Sequence, residues 1–272
     1  MRSHSRRPAA TSSGVHLLSD HRVIDGLVRA ADLGDDDLVI DFGAGPGTIT
    51  APLAHTGARV LAVERDARFV DALRRRFATR PSVRVVHEDL RTVRLPRRSF
   101  SVVASIPFAV STPLLRRLLT PVGGGFSRAE LVVEWGLAKR LTAAYARDLE
   151  SAWWSSRFTL TVRRRVPARC FSPAPRVDAA HLAVRPRSDV DRRTAAVLWA
   201  LLSAAYDRPR DRARTALNGL APRRLTHRLL GEKPAPEIHI GQWLTMARIL
   251  SADRSVVPPP LPADVVRGAT LP

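Results

Sequence analysis

The apolar run Leu38-Val-Ile leads straight into Asp41-Phe-Gly-Ala-Gly-Pro-Gly47, and this junction constrains the chain more than any other stretch. Glycines at alternate positions after a strand-like run predict a tight strand-to-helix turn, with backbone angles that side chains resist. A dinucleotide fingerprint would read G-x-G-x-x-G, and Thr48 stands where its third glycine belongs. The spacing therefore points away from NAD. It suits S-adenosylmethionine, whose sulfonium and amino-acid end need a close backbone approach but bring no pyrophosphate to a helix N-terminus. A glycine-rich turn with no ligand has the same local pattern, so the neighbouring sequence decides.

Strand and helix patterns alternate around the turn. Helical spacing of Ile24, Leu27 and Val28 predicts a helix over 20–31. Strands follow at 38–42, 59–64, 83–87, 101–105 and 131–134, with helices from about Thr48, over 67–77 and over 113–120. Repeated βα units predict an α/β fold with a parallel, doubly wound, Rossmann-like sheet. After Trp135 two β-rich runs, 158–162 and 180–184, flank a proline-rich loop and predict an antiparallel hairpin on the sheet edge. Helical runs over 195–206, 210–220 and 240–250 then predict a small all-α C-terminal domain. The division expected is a disordered basic arm at 1–13, an α/β domain at 14–187, a helical domain at 188–257 and a disordered proline-rich tail at 258–272.

The formal net charge of +19 and a pI near 11.7 exceed what solubility requires and imply a polyanionic partner, nucleic acid before a membrane surface. Between Arg157 and Arg228, 17 arginines stand against five acids, which places the basic half in the hairpin and the helical domain. Arg163, Arg164 and Arg165, with Arg208, Arg210, Arg212 and Arg214, are candidates to track phosphates, as are Arg223 and Arg224. A lone Cys170 leaves no internal disulfide and no zinc cage, and the scattered histidines lack metal-ligand company, so no metal is expected. With no apolar run near the roughly 18 residues a span needs and no leader-like start, a cytosolic protein is expected. Nothing in the sequence demands more than a monomer. The pair Trp153-Trp154 fits a core better than a base-stacking platform.

Four polar signals fall at the ends of successive strands, where an open α/β sheet binds ligands. The glycines are the first. Glu64, about twenty residues on, can accept both hydroxyls of a ribose. Asp89 can accept an exocyclic amine, and the bland alternative for each acid is a solvated strand end or a helix N-cap. Ser105-Ile-Pro-Phe108 is the fourth, and it resembles the Asn/Asp/Ser-x-Pro-aromatic motif of methyltransferases that modify exocyclic amines of bases. An adenine N6 lone pair is delocalised into the ring, so methylation requires the nitrogen to pyramidalise. The Ser105 hydroxyl and a backbone carbonyl near Ile106 can accept its two N–H bonds as positive charge develops. Pro107 fixes the turn, and Phe108 offers a face to an extruded base.

These residues together resemble the ribosomal RNA adenine-N6 methyltransferases, most closely the Erm branch. The likeness is carried by Gly14-Val-His-Leu-Leu18, the 41–47 loop, Glu64, Asp89, Ser105-Ile-Pro-Phe108, Val133-Glu-Trp-Gly-Leu-Ala-Lys-Arg140 and Phe171-Ser-Pro-Ala-Pro-Arg-Val-Asp178. The resemblance implies an S-adenosylmethionine-dependent methyltransferase domain acting on one adenine in domain V of 23S rRNA, with resistance to macrolides, lincosamides and streptogramin B. It implies cofactor contacts from His16, Leu18, Gly43, Ala44, Gly45, Glu64, Arg65, Asp89, Leu90 and Ser105. It also implies a target site of Ser105, Ile106, Pro107 and Phe108, with Phe171 as a second aromatic. Two positions depart from the family pattern: Val15 stands for a usual Gln, and Ser105 for a usual Asn. A small-subunit rRNA dimethyltransferase and a non-catalytic nucleic-acid-binding protein on the same fold are the competing readings.

Overall fold

The computed structural model describes residues 16–267. The basic arm expected at 1–13, together with Gly14 and Val15, lies outside the described residues, as does the end of the proline-rich tail.

The chain order is β1 (Leu17–Leu18), α1 (His21–Ala31), β2 (Leu38–Phe42), α2 (Thr50–Leu53), β3 (Arg59–Glu64), α3 (Ala67–Arg76), β4 (Val83–His87) and β5 (Phe100–Ser105). It continues with α4 (Ser111–Leu119), β6 (Phe126–Glu134), α5 (Trp135–Leu141), α6 (Leu149–Arg157), β7 (Phe158–Val166), β8 (Phe171–Ser172) and β9 (Ala179–Pro186). The rest is helical: α7 (Arg192–Asp207), α8 (Ala213–Ala216), α9 (Arg223–Leu230), α10 (Ile240–Ala252) and α11 (Ala263–Arg267).

The main sheet has the order β4-β3-β2-β5-β6-β9-β7. Its first five strands are parallel, and β9 pairs antiparallel with both β6 and β7. The strand order reverses between β2 and β5, and that switch point opens a crevice beyond their carboxyl ends. The predicted hairpin is present, with β7 as the outer edge. A separate two-stranded ribbon pairs Leu17 with Ser172 and Leu18 with Phe171.

Alternation along the strands sets the two faces. Val39, Val60, Val103 and Val132 bury against Val23, Ile24, Leu27 and Ala31 of α1. That helix starts where the Asp20 carboxylate accepts the Val23 N–H at 3.1 Å. Residues of opposite parity, such as Ile40, Val102, Leu131 and Leu182, face α4, α5 and α6. This second core runs on without a break into Leu198, Leu202, Trp243 and Met246 of α7 and α10. The helical region is thus built onto the sheet through a shared core. Trp153 and Trp154 belong to it; both are buried, and their indole N–H groups donate to the Thr120 carbonyl and hydroxyl at 3.0 and 3.1 Å.

Three expectations need correction. The helix expected over 210–220 is one turn, α8, because Pro209 precedes it and Gly219 takes a φ of +83°. Three helices, α5, α6 and α9, have no counterpart in the sequence reading; α9 is strongly basic and α5 sits inside the motif read for its chemistry. The tail from 258 is partly ordered: α11 buries Val265, whose carbonyl accepts the Val122 N–H at 2.7 Å. Its few apolar side chains suffice because they close an existing core.

Candidate active site

The glycine loop leaves β2 and turns back at once. Gly43 N and Ala44 N both donate to the Val63 carbonyl of β3, at 2.8 and 3.1 Å. Gly43, Gly45 and Gly47 take φ values of +71°, +55° and +83°, the left-handed region that side chains resist. A Cβ on Gly45 would lie 3.1 Å from Leu17 of the β1–β8 ribbon, and one on Gly47 would lie 2.8 Å from Leu73 of α3. The second glycine therefore lets the ribbon cross the loop, and the third lets α3 close on it.

Glu64 ends β3 inside this turn and is buried. One carboxylate oxygen accepts Gly45 N at 2.8 Å; the other accepts Arg65 N and Asp66 N, each at 2.8 Å. The first oxygen keeps a lone pair for a further donor. Asp41 is the residue that sequence reading passed over, although it opens the motif. It is buried, and among the described residues its side-chain partner is the Thr50 hydroxyl, at 2.7 Å. Burial, with the Glu64 charge adding to it, pushes its carboxyl up to about 7. An acid within an otherwise apolar strand run was the signal available.

Asp89 follows β4. Its carboxylate accepts the Arg91 backbone N–H and guanidinium, and Arg65 lies 3.9 Å away; the Arg91 hydrogen bonds hold it below the ordinary carboxylate range. His87 donates to the Arg65 carbonyl at 3.1 Å, tying the ends of β3 and β4 together. Leu90 is buried behind Asp89.

Ser105 ends β5 beside β2. Ile106 is buried and its N–H donates to the Val132 carbonyl at 3.0 Å, which extends the β5–β6 pairing into the motif. Pro107 Cδ would stand 3.5 Å from a Cβ on Gly43, so the proline turn and the glycine loop are neighbours. Phe108 is half-buried in the one-turn 3-10 helix that follows, its ring centroid 6.4 Å from that of His16. His16 in turn donates to the Pro173 carbonyl at 2.8 Å. The structure thus brings His16, Leu18, Gly43, Ala44, Gly45, Glu64, Arg65, Asp89, Leu90 and the Ser105–Phe108 turn to one end of the sheet.

Phe171 does not join them on the open side. Its pairing with Leu18 turns the ring into the apolar cluster against which Phe108 also packs, leaving it 5% exposed. Of the arginine triplet, Arg164 is turned inward and donates to the Arg22 and Val23 carbonyls at 3.0 Å across Gly26. Arg163 makes a two-point contact with Glu130 at 3.1 Å and Arg165 pairs with Asp178 at 2.7 Å over Trp135, but both stay exposed. Arg208, Arg210, Arg212 and Arg214 are exposed too, with Glu232 shared by Arg212 and Arg214 at 3.0 Å.

The family model for ribosomal RNA adenine dimethylases matches residues 7–252. An rRNA adenine N-6-methyltransferase from Bacillus licheniformis is 31% identical over 88% of this chain and 86% of its own length. A ribosomal RNA small subunit methyltransferase A from a Synechococcus strain is 33% identical over 87% of this chain and 94% of its own. Among solved structures, the 23S rRNA methyltransferase ErmE superposes with a TM-score of 0.75 at 22% identity, covering 85% of this chain and 98% of that one. On the match over most of its length, the chain belongs to the ribosomal RNA adenine dimethylase family.

Proposed function

We propose that this chain, a ribosomal RNA adenine methyltransferase by family, takes its methyl group from S-adenosylmethionine and places it on N6 of one adenine in domain V of 23S rRNA. The observation that carries the reading is the convergence of the glycine loop, Glu64, Asp89 and the Ser105–Phe108 turn on one crevice. The residues present fit the donor. The left-handed glycines clear a path for close backbone approach, Glu64 keeps an acceptor for a ribose hydroxyl, and Asp89 offers an ionised carboxylate, held by Arg91, to the donor's exocyclic amine. Asp41, a buried acid with no cation beside it among the described residues, suits a ligand that carries positive charge.

The sulfonium supplies an electrophilic methyl group. The work left to the chain is orientation. Ser105 Oγ and the carbonyl of the Ile106 turn accept the target N6–H bonds and hold the nitrogen lone pair toward the donor side, as the amine becomes positively charged. Phe108 stacks on the extruded base, and the nearness of Pro107 to Gly43 fixes the base site against the donor site. The proton leaves an acidified amine, so no strong base is required. Exposed arginines around α8 and α9 hold the rRNA backbone.

The 133–140 segment favours the large-subunit target, whereas the likeness to the Synechococcus protein favours the small subunit. Methylation of domain V would obstruct macrolides, lincosamides and streptogramin B, and the protein would act in the cytosol as a monomer. Labelled S-adenosylmethionine, protein-free 23S rRNA and, in parallel, immature small subunits test the assignment, with primer extension locating the modified base. Label at one domain V adenine is expected. Label on the small subunit alone would move the target, and no label on either would remove the enzymatic reading.

A further inference from the structure

Helix α4 starts at the target-base turn and passes beside the turn that carries Asp89. Ser111, its first residue, is buried, and its hydroxyl donates to the Pro107 carbonyl at 3.3 Å. Further along the same helix, the Arg117 guanidinium donates from Nη1 to the Leu90 carbonyl and from Nη2 to the Val93 carbonyl. Those carbonyls flank a single tight turn, in which Thr92 N and Val93 N both donate to the Asp89 carbonyl, at 3.0 and 2.9 Å. The turn's side chains Leu90 and Val93 are buried in the same core as Leu114, Leu115 and Leu118 of α4.

Such a turn leaves two part-buried carbonyls that need donors, and one planar guanidinium meets both in a fixed relative orientation. Remove it and the carbonyls must find water or move. Asp89 sits at the start of that turn, so its direction follows the turn's. The arginines that touch the Asp89 carboxylate itself, Arg91 and Arg65, are both largely exposed and do not anchor it to the body of the fold. Arg117 does, because its own helix is packed against the sheet.

We propose that Arg117 is a positioning residue for the methyl donor: by holding the Leu90 and Val93 carbonyls it sets the direction of Asp89, and α4 thereby couples the donor's adenine subsite to the Pro107 turn at the target base. This rests on the assignment of Asp89 to the donor's adenine. Arg117 touches neither donor nor target. Its effect therefore belongs in donor affinity, carried through Asp89, and the Lys variant, with one donor group in place of the fork, gives an intermediate result.

Calorimetric titration with S-adenosylhomocysteine and with adenosine tests this on the full chain, using wild type, Arg117→Met, Arg117→Lys, Asp89→Ala, which removes the acceptor, and the Asp89→Ala/Arg117→Met pair. Arg117→Met is expected to weaken both ligands about tenfold, with Arg117→Lys between it and wild type. In the paired variant the loss should be no greater than in Asp89→Ala alone, since the first residue acts through the second. Turnover at saturating donor should change much less than the donor KM. Unchanged affinity in both Arg117 variants, or losses that simply multiply with Asp89→Ala, would overturn the proposal. Should Arg117→Met not fold, the Lys variant carries the same comparison. Failure of wild type to bind S-adenosylhomocysteine would instead strike the functional assignment.

Discussion

Glu130 and Asp41 are both carboxylates on central strands of one sheet, both 1% exposed, and they behave in opposite ways. Glu130 lies toward the antiparallel edge. Burial pushes its carboxyl up, but hydrogen bonds from His181 at 2.5 Å, from Arg163 at 3.1 Å and from Arg185 at 2.5 Å together bring it below its ordinary value. Asp41 lies at the mouth of the parallel half with a hydroxyl for company, and burial drives it up to about 7. A buried acid surrounded by the fold's own cations is structural. A buried acid with no cation beside it among the described residues carries its desolvation penalty alone and holds its proton more tightly.

The largest effect that can break this contrast comes from Glu130→Ala. It would leave the buried His181 ring without its acceptor and take a shared partner from Arg163 and Arg185, which are 43% and 33% exposed; three lost hydrogen bonds at a buried carboxylate, at roughly 1–1.5 kcal/mol each, cost about 3–5 kcal/mol. Chemical denaturation at neutral pH reads it. A loss below about 1 kcal/mol would show that the cations find water and that the cluster is not the brace of the hairpin edge.

Asp41 gives the next effect, and its sign is opposite to that of Glu130. A carboxyl with an ordinary value of 3.8 and a folded value of about 7 binds its proton more tightly in the folded state. The stability it contributes is full below pH 4 and is lost as pH rises to about 7, to a total of roughly 4 kcal/mol. Glu130, lowered in the fold, contributes above its ordinary value and loses that contribution on acidification. Asp41→Asn keeps an acceptor for the Thr50 hydroxyl and removes the titration. The difference in unfolding free energy between variant and wild type should therefore shift in the variant's favour by about 2–4 kcal/mol from pH 4 to pH 8. A difference independent of pH would mean that Asp41 is hydrated and would withdraw its support from the donor site proposed above.

The same contrast explains how far the sequence could be read. The sheet was legible because βα repetition and strand-end signals are local, and β2, β3 and β4 begin and end where the periodicity put them. The crevice was legible for the same reason: strand ends in a doubly wound sheet meet at the switch point whatever the loops do. Arg164 was misleading, and Arg163 and Arg165, although exposed, are each engaged by an acid of the fold. In sequence they are a basic run, yet alternation on β7 and a register shift between Val162 and Arg164 point them at Glu130, at helix carbonyls and at Asp178. Partners more than a hundred residues away, as for Arg164, leave no local trace. Phe171 fails in the same manner, since a two-residue pairing with β1 decides which way its ring faces.

The arginines near α8 extend the comparison to charge that faces outward. Replacing Arg208, Arg210, Arg212 and Arg214 by Gln should weaken rRNA binding by roughly tenfold to a hundredfold at moderate salt and lower the slope of log affinity against log salt by about 3. Stability should move by less than about 0.5 kcal/mol, as exposed substitutions do. Filter binding across a salt series decides. An unchanged slope would place the rRNA contact elsewhere and leave this patch as solvated surface.

Arg165 tests where inward charge ends and outward charge begins, and its expected effect is the smallest. Its guanidinium is more than half exposed, pairs with Asp178 and sits 5.3 Å from the centroid of Trp135. Asp178 is held low first by the Ala168 N–H and only then by Arg165, so the carboxylate keeps a partner when the guanidinium goes. An exposed ion pair with a cation over an aromatic face is worth about 1 kcal/mol in all. Arg165→Gln should therefore cost about that much stability and leave the salt slope of rRNA binding where it was. If the slope instead falls by about one while stability holds, Arg165 reads a phosphate, and the division between spent and available charge runs through the triplet.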